Sequence, residues 1–154
     1  MTELEELENE AYENNIDIIN YPFKSPRIKG LYCDGTVALN PSLESTIEKR
    51  CILAEELGHY YTASGNILGN DTNSIKQEVK GRIFAYNKLI GLSGLISAYK
   101  AGCKSLYETA EFLEVTEAFL SEALDKYKQK YGICTTIDNY IIYFEPYLGV
   151  LETV

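Results

Sequence analysis

At the centre of this sequence lies Cys51-Ile-Leu-Ala-Glu-Glu-Leu-Gly-His-Tyr-Tyr-Thr62, a run that predicts a helix. It carries two adjacent carboxylates, Glu55 and Glu56, and the only histidine of the chain, His59. Because Glu55 and His59 are four residues apart, a helix places both side chains on one face, one turn apart. The zinc-site motif H-E-x-x-H has this spacing, with two histidines on the metal and a glutamate that handles the proton of a water molecule. Here Glu55 stands at the position of the first histidine.

The residues around this helix predict an α+β fold. The central helix is predicted from Ser42 or Ser45 to about Tyr61, and apolar residues at three-to-four spacing predict further helices over residues 2–14 and 74–90, with a short one ending near residue 100. Residues 16–20 predict a short strand. Residues 27–32 and 36–40 flank Asp34-Gly35, a dipeptide favoured in tight hairpin turns, so they predict two paired strands. Glycines and the Asn-Asp pair in residues 63–72 predict a loop.

The last third of the chain predicts a separate module. Residues 105–113 and 116–131 have the pattern of a helix-turn-helix, and residues 133–136 and 140–144 predict a hairpin around Asp138-Asn139, as in a winged variant. Residues 145–154 are predicted to be a tail. DNA-reading helices expose Arg, Lys, Asn or Gln, whereas this second helix begins with Glu117 and Glu122 and has lysines only at its end. The module is therefore interpreted as structural or protein-binding.

Composition and charge limit the function classes. A chain of 154 residues suits one domain with an appended module, here divided as residues 1–100 and 101–154. The net charge of -9 opposes general binding to a phosphate backbone and would suit a basic protein partner. Four cysteines without a C-x-x-C pair, an acidic first segment and no long apolar run predict a cytoplasmic protein with reduced thiols and no membrane contact.

Two segments resemble the ImmA/IrrE family of metallopeptidases from phages and mobile elements. The first is the central helix, from Glu55 to Thr62. The second is Glu78-Val-Lys-Gly-Arg-Ile-Phe-Ala-Tyr-Asn-Lys-Leu89, which follows the family's Glu-x-x-Ala-x-x-Phe-Ala pattern with Gly81 at the small-residue position. The resemblance implies a zincin-like minimal peptidase domain with a small antiparallel sheet, zinc as cofactor, and cleavage of a helix-turn-helix repressor as the task.

The resemblance also implies roles for individual residues. Glu56 falls on the catalytic glutamate, His59 on the second histidine ligand, and Glu78 on the downstream carboxylate ligand. Glu55 falls on the first ligand position, so zinc would be held by two carboxylates and one imidazole. Such a set is chemically allowed, but its extra negative charge is expected to weaken the Lewis acidity of the metal and to favour oxygen-preferring ions.

Several residues around this set have open roles. Tyr60, Tyr61 and Tyr86 are candidates to contact substrate or oxyanion, and nothing in the sequence ranks them; Tyr60 and Tyr61 suit packing equally well. Arg82, four residues after Glu78, is expected to pair with it as a support or as an ordinary surface pair. Cys33 and Cys51 are conceivable thiolate ligands but better suit buried small apolar residues.

Three functions are compatible with these patterns. The first is a zinc endopeptidase that acts as an anti-repressor, with Glu56 as general base. The second is a non-catalytic antirepressor that grips a repressor and blocks it. The third, a metal-independent regulator that binds DNA itself, agrees poorly with the acidic charge.

Overall fold

The computed structural model describes residues 2–43, 45–62 and 71–153. Of residues 71–74 it describes the backbone but not the side chains. The described elements form separate runs of strands and runs of helices, as expected for the predicted α+β class. In chain order they are α1 (Glu3–Glu13), β1 (Asp17–Asn20), β2 (Gly30–Cys33), β3 (Thr36–Leu39), α2 (Thr46–Thr62), α3 (Asp71–Leu89), α4 (Gly91–Lys100), α5 (Leu106–Leu113), α6 (Glu117–Tyr131), β4 (Cys134–Ile137), β5 (Tyr140–Tyr143) and β6 (Gly149–Glu152).

Contacts divide the chain into two compact units, Met1–Ala85 and Tyr86–Val154. The division falls within α3, whereas the domain boundary predicted from the sequence lies after residue 100, between α4 and α5. The helix α3 begins at Asp71, so the prediction that residues 71 and 72 belong to a loop is wrong. The remainder of that predicted loop, residues 63–70, lies outside the described residues. No helix in the described ranges is both long and apolar enough to cross a membrane.

The first unit is built on a three-stranded sheet with the order β1-β3-β2. The pairing of β2 with β3 is antiparallel, as the Asp34-Gly35 turn predicts, and both turn residues have positive φ. β1 runs parallel to β3, so the prediction of a purely antiparallel sheet is wrong in this strand. Val37 of β3 is fully buried, as are Leu53 and Leu57 of α2, and these residues belong to the core of the unit.

Side-chain caps set the starts of the helices in the first unit. Thr2 and Glu5 form the predicted capping box at the start of α1. At α2 the hydroxyl of Ser45 accepts a hydrogen bond from the backbone N–H of Glu48, which satisfies one of the free amides of the first turn. The guanidinium of the buried Arg50 lies 2.6 Å from the Glu3 carboxylate and ties α2 to α1.

Helices α2 and α3 approach each other closely at Gly58 and Gly81. A Cβ atom added to Gly58 would fall on the backbone carbonyl oxygen of Gly81, and one added to Gly81 would lie 2.5 Å from Nδ1 of His59. Because backbone atoms cannot move aside as a flexible side chain does, only glycine fits at position 58. The two glycines therefore fix where the His59 imidazole lies against α3.

We expect Gly58→Ala to reduce the free energy of unfolding by about 1–3 kcal/mol, since the added methyl group must separate two packed backbones. Alanine by itself would favour a helix by roughly 1 kcal/mol, so any net loss reports the clash. Urea unfolding checks this, with Gly149→Ala as control because its added Cβ would make only an ordinary contact of 3.9 Å with Tyr143. A Gly58→Ala protein as stable as the parent would contradict the close packing.

The second unit contains α4, α5 and α6 and an antiparallel sheet with the order β4-β5-β6. The hydroxyls of Ser105 and Thr116 cap α5 and α6, and Glu114 takes a left-handed conformation in the turn between them. The hairpin around Asp138-Asn139 is confirmed by the pairing of β4 with β5. The prediction of a C-terminal tail is wrong, because β6 pairs with β5 along Gly149–Glu152.

None of the four cysteines, all of which lie in the described part of the chain, forms a disulfide bond. Cys51 is buried in α2, as predicted for a small apolar residue. Cys33 is exposed at the end of β2, so the prediction that it is buried is wrong.

Candidate active site

Glu56 is a buried acid of the first unit. It lies just past the middle of α2, and the residue is 8% exposed. The backbone N–H of Tyr32 in β2 donates a hydrogen bond to its carboxylate. The close approach of β2 to α2 depends on Gly30, since a Cβ atom at that position would lie 2.6 Å from Cγ2 of Ile52 and 3.4 Å from Cγ of Glu56. The sequence thus brings an ionisable oxygen and a backbone donor together at the contact between α2 and β2.

Burial is the main influence on the protonation of Glu56. It raises the pKa of the carboxyl group from 4.5 to about 7, because the charged form loses hydration. The hydrogen bond from Tyr32 acts in the opposite direction, while the negative charges of Glu78 and Glu55 add to the rise. A carboxylate with a pKa near neutrality is suited to take up and return a proton.

His59 and Glu78 face each other across the contact between α2 and α3. Nε2 of His59 lies 3.2 Å from Oε2 of Glu78, and the other carboxylate oxygen of Glu78 lies 3.5 Å from Nε of Arg82. The predicted pairing of Glu78 with Arg82 is therefore present. The His59 side chain is mostly buried, whereas half of Glu78 is exposed, so the pair lies at the border between core and solvent.

This pair agrees with two of the three ligands of a zinc site. Two ligand atoms on a tetrahedral zinc, each about 2.0–2.1 Å from the metal, are roughly 3.3 Å apart, close to the separation of His59 and Glu78. Among the described residues, however, no group of three or more His, Cys, Asp or Glu side chains is arranged to hold a metal ion. The structure brings His59 and Glu78 together and does not bring Glu55 into a ligand group with them.

Glu55 has a different electrostatic environment. It lies near Lys29, and its charge helps to raise the pKa of the Lys29 ammonium, after the larger contribution of the Glu48 carboxylate hydrogen-bonded to that lysine. The Lys29–Glu48 ion pair has an N–O distance of 2.8 Å. Lys29 thus attracts the Glu55 carboxylate, while its ion pair is with Glu48.

The three candidate tyrosines have different surroundings. The ring of Tyr60 packs edge-on against Tyr32 and Tyr61. The Tyr61 ring lies 5.0 Å from Phe84, and its hydroxyl accepts a hydrogen bond from the Asn14 amide.

Tyr86 belongs to the core of the second unit. It packs on Phe119, and its hydroxyl donates to Glu122 at 3.2 Å. The assignment of Tyr60 and Tyr86 to substrate contact stays a prediction.

Sequence reasoning missed two participants, Gly30 and the N–H of Tyr32. Gly30 begins a strand whose turn was recognised, but a glycine there gives no local signal of a close approach to a helix. The hydrogen bond to Glu56 is made by the backbone, so no choice of residue type at position 32 could have revealed it.

Comparison with known proteins gives one match. The family model described as IrrE N-terminal-like domain, a peptidase family, matches residues 11–125. These residues include α2, β2, α3, α5 and the first part of α6. No curated protein and no solved structure matches the chain.

Proposed function

The chain belongs to the IrrE N-terminal-like peptidase family, and on that premise we propose that it is a zinc-dependent endopeptidase of the zincin-like type. Its proposed role is that of an anti-repressor that cleaves a helix-turn-helix repressor and thereby derepresses the genes of a phage or mobile element. The observation that supports this most is Glu56: a buried carboxylate with a pKa of about 7, three residues before a histidine that already faces the Glu78 carboxylate.

In this proposal His59 and Glu78, which face each other, would hold the metal, and Glu55, which the structure does not group with them, would complete the ligand set. When bound, zinc would supply Lewis acidity toward the scissile carbonyl and toward water. Glu56 accepts the proton of the attacking water and returns it to the leaving amine. Arg82 keeps Glu78 oriented, and the hydrogen bond from Tyr32 keeps the Glu56 carboxylate aimed in one direction.

The zinc content of the purified protein, measured by elemental mass spectrometry, tests the metal site. We expect about one zinc per chain, as in catalytic sites with three protein ligands, and loss of that zinc in His59→Ala. Glu55→His should bind zinc more tightly than the parent, because an imidazole suits zinc better than a second carboxylate, which favours oxygen-preferring ions. Glu111→Gln, an exposed change in α5, should leave the content unaltered.

An absence of zinc in parent and Glu55→His alike, even after zinc is added, would contradict the metal site. Unaltered zinc affinity in Glu55→His would contradict the specific weakening attributed to Glu55. Circular dichroism spectra of the parent and the variants distinguish loss of zinc from loss of the fold.

One observation favours a second candidate, an antirepressor that binds without cleaving. The described residues hold only two of three ligands in proximity, and the first ligand position carries a glutamate. Such a protein would inhibit a repressor in stoichiometric amounts and release no fragments. Loss of full-length repressor at substoichiometric protein would exclude it.

A further inference from the structure

One segment of the second unit concentrates negative charge. Residues 106–125 contain six carboxylates and neither lysine nor arginine. All six are exposed: Glu108, Glu111, Glu114, Glu117, Glu122 and Asp125. The segment spans α5, the turn and most of α6, the part that in a DNA-binding helix-turn-helix presents cations to phosphates. Its charge opposes nucleic acid and favours a cationic partner.

A cavity of about 440 Å³ opens beside this segment, within the second unit. Its lining runs from the buried Leu95 and Ala98 to the partly exposed Leu106 and the exposed Tyr147. The cavity therefore connects the apolar core of the unit with solvent. Openings of this kind accept apolar anchor side chains of a protein partner.

The negatively charged segment and the cavity adjoin each other on α6. Glu117, Ser121 and Asp125 follow one another at four-residue spacing, so they lie along one face of the helix. Ser121 and Asp125 also line the cavity. Among the lining residues in the described part of the chain, Lys104 is the one cation. We call this surface the acidic groove: the cavity together with Glu117, Ser121 and Asp125.

We propose that the acidic groove docks a basic amphipathic helix, the DNA-reading helix of the repressor. An apolar side chain of that helix enters the cavity, and its arginines and lysines face Glu117 and Asp125. Recognition helices carry cations because they bind phosphates and base edges, so charge complementarity selects this occupant. The inference rests on the proposed function for the identity of the partner. Its consequence is that the acidic groove covers the DNA-binding surface of the repressor.

Fluorescence anisotropy with synthetic peptides tests the docking. The probes are a labelled amphipathic helix of leucine and arginine, the same helix with glutamate in place of arginine, and a labelled DNA duplex. The full chain should bind the arginine helix and neither of the other probes. Glu117→Lys/Asp125→Lys should weaken binding roughly tenfold or more, because two attractive contacts become repulsive. Glu6→Lys/Glu13→Lys on α1 has the same change in charge and should bind as the parent does.

A second variant separates the cavity from the charge. Ser121→Trp places an indole at the mouth of the cavity without altering net charge, and it should also weaken binding of the arginine helix. Unaltered affinity in both α6 variants, equal affinity for the glutamate helix, or tighter binding of the DNA duplex would each overturn the proposal. Because no cleavage is measured, failure here is distinct from failure of the peptidase function, which depends on Glu56.

Discussion

If the chain is the endopeptidase proposed above, Glu56→Gln is expected to reduce cleavage of the proposed repressor substrate by about 10²–10⁴-fold, the usual contribution of a general acid–base residue. Glutamine has nearly the same shape as glutamate, and its amide oxygen can still accept the hydrogen bond from Tyr32. The variant should therefore fold, and it should retain zinc and repressor binding. What it lacks is an oxygen that can take a proton from water at neutral pH.

The assay is gel analysis of full-length repressor and its fragments over time, with the repressor in excess. Glu6→Gln serves as the matched control, since it makes the same chemical change at an exposed position of α1. Zinc content and repressor affinity are measured on the same preparations. Cleavage by Glu56→Gln at the parental rate would remove Glu56 from the role of general base and would leave its burial without a catalytic explanation.

The parts of the fold that the sequence predicts well are those with local signals. Thr2 and Glu5 predict the start of α1, and Asp34-Gly35 predicts the β2–β3 turn, because each feature depends on residues within one turn of chain. The parallel partnership of β1 with β3 and the pairing of β6 with β5 depend on segments distant in sequence. Four-residue strands such as β6 carry too little alternation to indicate a partner.

In the candidate site, too, the sequence predicts the features that depend on local spacing and misses those that depend on distant segments. Helical spacing places Glu55, Glu56 and His59 near one another, and the resemblance adds Glu78, which the structure brings to 3.2 Å from His59. Spacing could not predict how deeply Glu56 is buried, because this depends on β2 packing against α2 through Gly30. It also could not predict that Glu55 lies near Lys29, a residue from a different part of the chain.

The burial of Glu56 should also make the stability of the protein depend on pH. Its pKa is about 7 in the folded protein and near 4.5 in the unfolded chain, so between these values the folded state binds more protons. The stability that this titration contributes is therefore fully present below about pH 4.5 and is lost as the pH rises through 7; above that pH Glu56 causes no further change. A shift of this size corresponds to a loss of about 3 kcal/mol in the free energy of unfolding.

Glu56→Gln removes this titration. We expect the variant and the parent to be similarly stable near pH 4.5 and the variant to be more stable by about 3 kcal/mol at pH 8. Urea unfolding at a series of pH values, in EDTA so that only groups of the chain titrate, measures the difference between the two curves. Glu111→Gln should follow the parent at every pH. Parallel curves for parent and Glu56→Gln would show that Glu56 is ionised at little cost in the folded protein, and the residue would then lose the protonation behaviour that suits it to proton transfer near neutral pH.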